Sequence, residues 1–260
     1  VPNKEKLDQY FDILDKNDKF TGSVSVSQNG KTVYSRSVGY ADADTKQKLN
    51  ENTKFRIGSI SKTFTAALVL KAVEENKLKL SDNISTYFPT VPNASKITVG
   101  NLLNHRSGIN NFTDTPTYTT WMTSPKTEAE MVAIITSGGS DFEPGSKAEY
   151  SNSNYVLLSY ILEKTYKKTF KDILNEKIIK PLNLKDTNYG ERINISKNEA
   201  NSYAYTGKWE KEPETDMSIP MGAGAIVSTP NDLSRFIEAL FAGKIISTAS
   251  LEQMMTTKDG

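Results

Sequence analysis

The sequence predicts an α/β chain of the α+β type, with strands towards its two ends and helices between them. Three observations carry this. Asn29-Gly30 separates two runs in which valines alternate with polar residues, the signature of an antiparallel hairpin, because both turn positions need φ > 0. From Ser59 to about Lys180 the apolar residues recur mostly at helical spacing, broken by long polar loops. After Met221, glycine and β-branched residues return as strand and turn signals.

Taken in order, Leu7, Tyr10, Phe11 and Leu14 form one stripe of an amphipathic helix over Lys4–Lys16. Residues 24–28 and 32–38 are the two hairpin strands, and 55–57 form a short strand ending in a turn at Gly58. Ser59 is read as the first residue of a buried helix carrying Phe64, Ala66, Ala67, Leu68, Val69, Leu70, Ala72 and Val73. Ser81-Asp82-Asn83 is read as the start of a short helix, with Ser81 or Asp82 as cap. Residues 98–104 form a helix ending at His105, the sole histidine. The aromatics Phe112, Tyr118 and Trp121, with Met122, punctuate a polar loop over 110–125, either lining a cleft or pinning the loop to the core. Tyr150-Ser151-Asn152 lies on a loop before a second buried helix through Val156–Leu162. A strand is expected over 221–228, where the backbone must pass close to a neighbour. Thr229-Pro230-Asn231-Asp232 then opens a helix that stops at Gly243, with Thr229 as cap and Pro230 at the first helical position.

The chemistry centres on Ser59 and Lys62. Three residues apart on a helix, they share one face with Cβ atoms about 5–6 Å apart. A serine hydroxyl needs a base to become a nucleophile, and a neutral lysine amine can be that base. Burial and the positive end of a helix both push a lysine towards neutrality. Ser-x-x-Lys is short enough to arise as a capping serine and a surface lysine. This one is the single instance in the chain, follows a glycine and leads a helix that is apolar on too many sides to lie at a surface. His105 is the one alternative base, for a serine–histidine–acid triad. It is read instead as a structural residue that holds a loop through backbone hydrogen bonds.

Composition narrows the function classes. The 260 residues are 37% hydrophobic, enough for one large core or two lobes around a cleft. Thirty-two basic and thirty-one acidic residues leave a net charge of +1 without long single-sign runs, which points away from nucleic acid and anionic membranes. No cysteine is present, so disulfides, thiolate metal sites and cysteine nucleophiles are excluded. A lone histidine makes a histidine metal site untenable. Neither a metal nor an organic cofactor is implied. No apolar run approaches a membrane span, and Val1-Pro2-Asn3-Lys4 is not a signal peptide.

Five segments occur in the order of a known family. They are Gly58-Ser59-Ile60-Ser61-Lys62, Leu102-Leu103-Asn104-His105-Arg106-Ser107-Gly108, Phe142-Glu143-Pro144-Gly145, Tyr150-Ser151-Asn152 and the run from Gly222 to Pro230. The chain resembles the serine β-lactamase-related and penicillin-binding proteins. Within them it is similar to the class C-like branch that includes class C β-lactamases, D-alanyl-D-alanine carboxypeptidases, D-amino-acid peptidases and family VIII-type esterases. The resemblance implies one domain over 1–260 with two lobes. An antiparallel sheet flanked by helices (about 1–58 and 200–260) would pack on a mostly helical lobe (about 59–199). It also implies an exported bacterial protein, periplasmic or extracellular, acting through an acyl-enzyme on a D-amino-acid or peptidoglycan peptide, a β-lactam or a small ester. By that likeness Ser59 is the acylated nucleophile and Lys62 its base. Tyr150 would be the proton shuttle to the leaving group, and Asn152 would hold the substrate amide and orient Lys62.

One departure matters. The family carries a third motif, Lys/His-x-Gly, on a late strand that walls the cleft and supplies a second oxyanion donor. Lys258-Asp259-Gly260 has these letters but follows a helix end almost directly. The expectation is therefore that C-terminal strands are absent from this chain, leaving a sheet edge for a missing segment or a second chain to complete. The rival reading is a non-catalytic relative that binds such ligands or a protein partner.

Overall fold

The computed structural model describes residues 3–257, so the Lys258-Asp259-Gly260 motif lies outside the described residues. Helix α1 (Lys4–Lys16) begins at Asn3, whose side chain accepts the Lys6 N–H, and turns Phe11 inward. Strands β1 (Gly22–Gln28) and β2 (Lys31–Val38) pair antiparallel through a turn with φ of 52° at Asn29 and 74° at Gly30. Phe11 packs with Tyr34 and Val38 of the hairpin, forming a small apolar cluster of its own. A second ribbon, β3 (Tyr40–Asp42) with β4 (Gln47–Lys48), precedes β5 (Phe55–Arg56).

The chain then turns at Gly58 into a 3₁₀ turn, Gly58–Ile60, that runs on into α2 (Ser61–Glu74). Ser59 thus stands one turn ahead of the α-helix rather than at its first residue. Helices α3 (Val99–Leu103), α4 (Tyr118–Trp121), α5 (Glu128–Gly138), α6 (Asn152–Tyr166), α7 (Phe170–Leu174) and α8 (Lys180–Leu182) follow. Strands return as β6 (Asn188–Tyr189), β7 (Tyr203–Tyr205), β8 (Trp209–Lys211) and β9 (Ile226–Ser228), and α9 (Pro230–Phe241) and α10 (Thr248–Met255) close the described chain.

The strands are antiparallel and divide among four small sheets in the described residues. Strand β9 is the centre of one of them, pairing β5 on one side and β6 on the other. The hairpin strands β1 and β2 pair only with each other among the described residues. Side-chain bonds from Ser25 to Asn231 and from Ser27 to Glu238 tie β1 to α9.

The main core forms around α2 and α6. Phe64, Leu68 and Val69 of α2 and Val156, Leu157 and Ile161 of α6 are fully buried. Phe64 also stacks on Phe236 of α9 with ring centroids 3.7 Å apart. Burying a side chain of this size contributes about 1.5–3 kcal/mol, so the helix bearing Lys62 is firmly anchored.

Two further local expectations change. Met221–Ala223 is a 3₁₀ turn, and the strand is confined to Ile226–Ser228. Its cause is Gly222, whose N–H donates to Ser159 Oγ and whose carbonyl accepts from Thr65 Oγ1, each at 2.7 Å. A Cβ there would meet those hydroxyls at 2.5 and 2.6 Å, so only glycine lets the backbone lie between α2 and α6. The short helix after Ser81 is the 3₁₀ turn Ile84–Thr86, and its cap is Asn83, which accepts the Ser85 N–H, rather than Ser81 or Asp82.

Candidate active site

Ser59, Lys62, Tyr150 and Asn152, drawn from two segments far apart in sequence, meet in one hydrogen-bonded cluster. Ser59 Oγ lies 2.6 Å from Tyr150 Oη and 3.0 Å from Lys62 Nζ. Lys62 Nζ also donates to Asn152 Oδ1 at 2.8 Å and to the Ala223 carbonyl at 2.9 Å. Tyr150 Oη reaches Asn152 Oδ1 at 3.4 Å. The lysine is 7% exposed, whereas Tyr150 is 49% exposed and Ser59 faces solvent. A buried amine therefore stands behind an accessible hydroxyl.

Burial lowers the proton affinity of Lys62, opposed by its hydrogen bond and charge interaction with Tyr150. Its place in the first turn of α2 works in the same direction as burial. The partners then dictate what a neutral amine does. Asn152 Oδ1 and the Ala223 carbonyl can only accept, so they take the two N–H groups that remain. The lone pair is left facing Ser59 Oγ, the orientation a general base needs.

The lysine's partners are held by packing. Gly222, clamped between Thr65 and Ser159, fixes the adjacent Ala223 carbonyl. Ser61 Oγ accepts the Ile226 N–H at 3.1 Å, tying the start of α2 to the first residue of β9. Asn152 opens α6, and its N–H is capped from another segment by Asn111 Oδ1 at 2.9 Å. The side chain of Ser151, at the N-cap position, donates to the Asn110 carbonyl instead.

His105 stands behind Tyr150 with ring centroids 4.7 Å apart. Its Nδ1 accepts the Ser151 N–H at 3.2 Å, so Nδ1 carries no proton and Asn154 Nδ2, 3.1 Å away, donates to it as well. Burial, then the charge of Lys62, pulls the imidazole down to about 4. The residue holds the Tyr150–Asn152 loop through a backbone bond, as the sequence suggested, and its occupied Nδ1 is not offered to Ser59. Asn83, in the Ser81-Asp82-Asn83 triplet, bonds instead to Ser85 and the Ser95 carbonyl.

A cavity of about 470 Å³ opens beside Ser59, lined among others by Phe112, Tyr118, Met122, Asn152 and Ala223. The two alternatives for the aromatic loop both occur: Phe112 is buried in the core, and Tyr118 and Met122 face the cavity. Sequence reasoning missed Asn111, Thr113 and the Ala223 carbonyl. Asn111 and Thr113 sit in a polar loop without periodicity, and a backbone carbonyl leaves no trace in a sequence. No cluster of His, Cys, Asp or Glu able to hold a metal occurs among the described residues.

The profile of the beta-lactamase family matches residues 7–260. The chain belongs to this family. Among relatives, a teichoic acid D-alanine hydrolase of Staphylococcus aureus is 30% identical over 248 residues, covering 95% of this chain and 59% of the relative. The D-amino acid amidase of Ochrobactrum anthropi superposes with a TM-score of 0.80 at 32% identity, covering 93% of this chain and 72% of the amidase. An octameric penicillin-binding protein homologue from Pyrococcus abyssi gives 0.83 at 25% identity, covering 97% of this chain and 60% of the homologue. The resemblance read from the five motifs is thus a family membership, and the mixed α/β fold with small antiparallel sheets is that of these beta-lactamase relatives. The chain spans 59–65% of the length of the curated relatives it matches.

Proposed function

We propose that the protein is a serine hydrolase that forms an acyl-enzyme on Ser59, with an amide or ester of a small D-aminoacyl group as substrate. One observation carries the reading: an accessible serine hydroxyl within hydrogen-bond reach of both a buried lysine and a tyrosine. Neutral Lys62 takes the Ser59 proton as Oγ bonds to the substrate carbonyl carbon, and the carbonyl oxygen becomes an oxyanion. The main-chain N–H of Ser59, in the first turn of a 3₁₀ segment, is one donor to that oxyanion. When the intermediate collapses, the C–N or C–O bond breaks and the leaving group takes a proton from Tyr150. Lys62 ammonium, whose proton came from Ser59, restores the tyrosine through the shared cluster. Water then cleaves the Ser59 ester.

The D-aminoacyl preference is supported by the names of two relatives, a D-amino acid amidase and a teichoic acid D-alanine hydrolase. A cavity of about 470 Å³ beside Ser59 accommodates an acyl group of that size. Peptidoglycan peptides and β-lactams present the same acyl chemistry. A cell-wall substrate of this kind supports a location outside the cytoplasm of a bacterium. No helix among the described residues is long and apolar enough to cross a membrane. The edges of β1 and β2 are where a further strand, from a longer chain or a second one, would add. Hydrolysis of D-alanine p-nitroanilide in preference to the L-isomer, lost in Ser59→Ala, is the expected result. Equal rates with Ser59→Ala would overturn the proposal.

A further inference from the structure

The two ends of the Asn152 carboxamide are nearly isosteric, yet only one of them serves Lys62. With Oδ1 towards the lysine, Asn152 accepts an N–H and leaves the lone pair for Ser59. With Nδ2 in that place, the amide would donate to the lone pair itself and take it away from the serine. Something must hold the amide one way round. Asn152 has no choice of its own in this, because rotation about its last side-chain bond exchanges the two ends at little intrinsic cost.

The hydrogen positions can be followed from a group that cannot be reversed. The backbone N–H of Asn152 can only donate, and it donates to Asn111 Oδ1 at 2.9 Å. That fixes the Asn111 carboxamide, whose Nδ2 donates to Asp114 Oδ2 at 2.9 Å. Thr113 Oγ1 lies 3.1 Å from the same Asn111 Oδ1, so its single proton goes there. With its proton committed, the Thr113 oxygen can only accept towards Asn152, whose Nδ2 donates to it at 3.0 Å. Oδ1 is thereby turned to Lys62.

We infer that Thr113 is a positioning residue, which with Asn111 and Asp114 sets the orientation of the Asn152 amide and so keeps the Lys62 lone pair on Ser59. The loop is well placed for this. Phe112, between Asn111 and Thr113, is 2% exposed, and its N–H donates to Ser153 Oγ in the first turn of α6. The hydroxyl at Thr113 is therefore carried on a segment pinned to the same helix that begins with Asn152. The inference rests on the acyl-enzyme reading for its consequence, but its geometry is independent of any substrate.

The test compares Thr113→Val, which keeps the shape and removes the hydroxyl, with Thr113→Ser, which keeps the hydroxyl. Thermal unfolding first verifies that both are folded. Single-turnover acylation by a p-nitrophenyl ester is then followed across pH. Thr113→Val is expected to acylate about 10- to 100-fold more slowly, the scale on which losing one half-buried hydrogen-bond partner beside a buried amine acts. Its acid limb should move to lower pH, because an NH₂ turned towards Lys62 opposes the ammonium form. Thr113→Ser should stay near the wild-type rate and limb. The other titratable groups around Lys62, namely His105, Tyr150 and Tyr155, are untouched by either substitution. A Val variant with the wild-type profile, a slower one with an unmoved limb, or a Ser variant impaired as much as Val would each overturn the inference. NMR titration of the Lys62 amine reads the same displacement without substrate. If wild-type protein is not acylated on Ser59, the functional reading falls. An unchanged Lys62 titration in Thr113→Val overturns the positioning role separately.

Discussion

Lys62 Nζ sits 3.0 Å behind Ser59 Oγ, and its other two close partners, Asn152 Oδ1 and the Ala223 carbonyl, are acceptors only. An amine in that position has one place for its lone pair. Replacing Lys62 by methionine keeps the length and apolar stem but removes the amine. Acylation by an activated ester should fall by about 10²–10⁴, the usual range for a positioned general base. Binding of a non-reactive D-aminoacyl amide analogue should change far less. Equal losses in rate and in binding would mean that the lysine is a packing residue.

Tyr150 bridges Ser59 and the open cleft, 2.6 Å from the serine oxygen. In Tyr150→Phe the ring remains against His105 and the hydroxyl is gone. Acylation by amides should then suffer more than acylation by p-nitrophenyl esters, because a nitrophenolate departs without a proton. A uniform loss across both leaving groups would contradict a proton-delivery role.

His105 gives a pH signature of stability rather than of chemistry. Its folded value is about 4 against about 6.5 for a free imidazole. The unfolded chain therefore binds the proton more readily between these values. The contribution of His105 is fully present above pH 6.5 and is lost as pH falls towards 4. In His105→Gln, the melting temperature should depend less steeply on pH in that window than in wild type. Parallel curves for the two proteins would show that the ring is not held neutral.

Gly222 is a packing constraint that reaches the site. A methyl group there meets Thr65 and Ser159 at 2.6 and 2.5 Å, so Gly222→Ala must push the turn away from α2 or α6. Overpacking of this kind costs about 1–3 kcal/mol. Denaturant unfolding should register that loss, and acylation should slow as the Ala223 carbonyl leaves Lys62. A variant as stable and active as wild type would contradict the clamp.

What could be read from the sequence was local. The Asn29-Gly30 turn, the Thr229-Pro230 start of α9 and the Ser59–Lys62 spacing each depend on neighbours within a few residues. Ser59, Lys62, Tyr150 and Asn152 were legible as a group through the family motifs, and the structure brings all four together. The strand expected at Met221–Ala223 failed because Gly222 is dictated by Thr65 and Ser159, more than sixty residues distant in either case. The contact of Thr113 with Asn152 is hidden for the same reason: the amide that donates to its hydroxyl oxygen lies on a distant segment. Asn83 outcompeted Ser81 and Asp82 as cap through a side-chain bond to the Ser85 N–H, a choice among three suitable residues that composition alone does not make.

The acylated serine is the claim on which the rest depends, and intact-mass spectrometry tests it directly. After incubation with a β-lactam or a p-nitrophenyl ester, the protein should gain one acyl mass. Peptide mapping should place that mass on Ser59, and Ser59→Ala should gain none. An unmodified wild-type protein, or an adduct that survives in Ser59→Ala, would contradict the account.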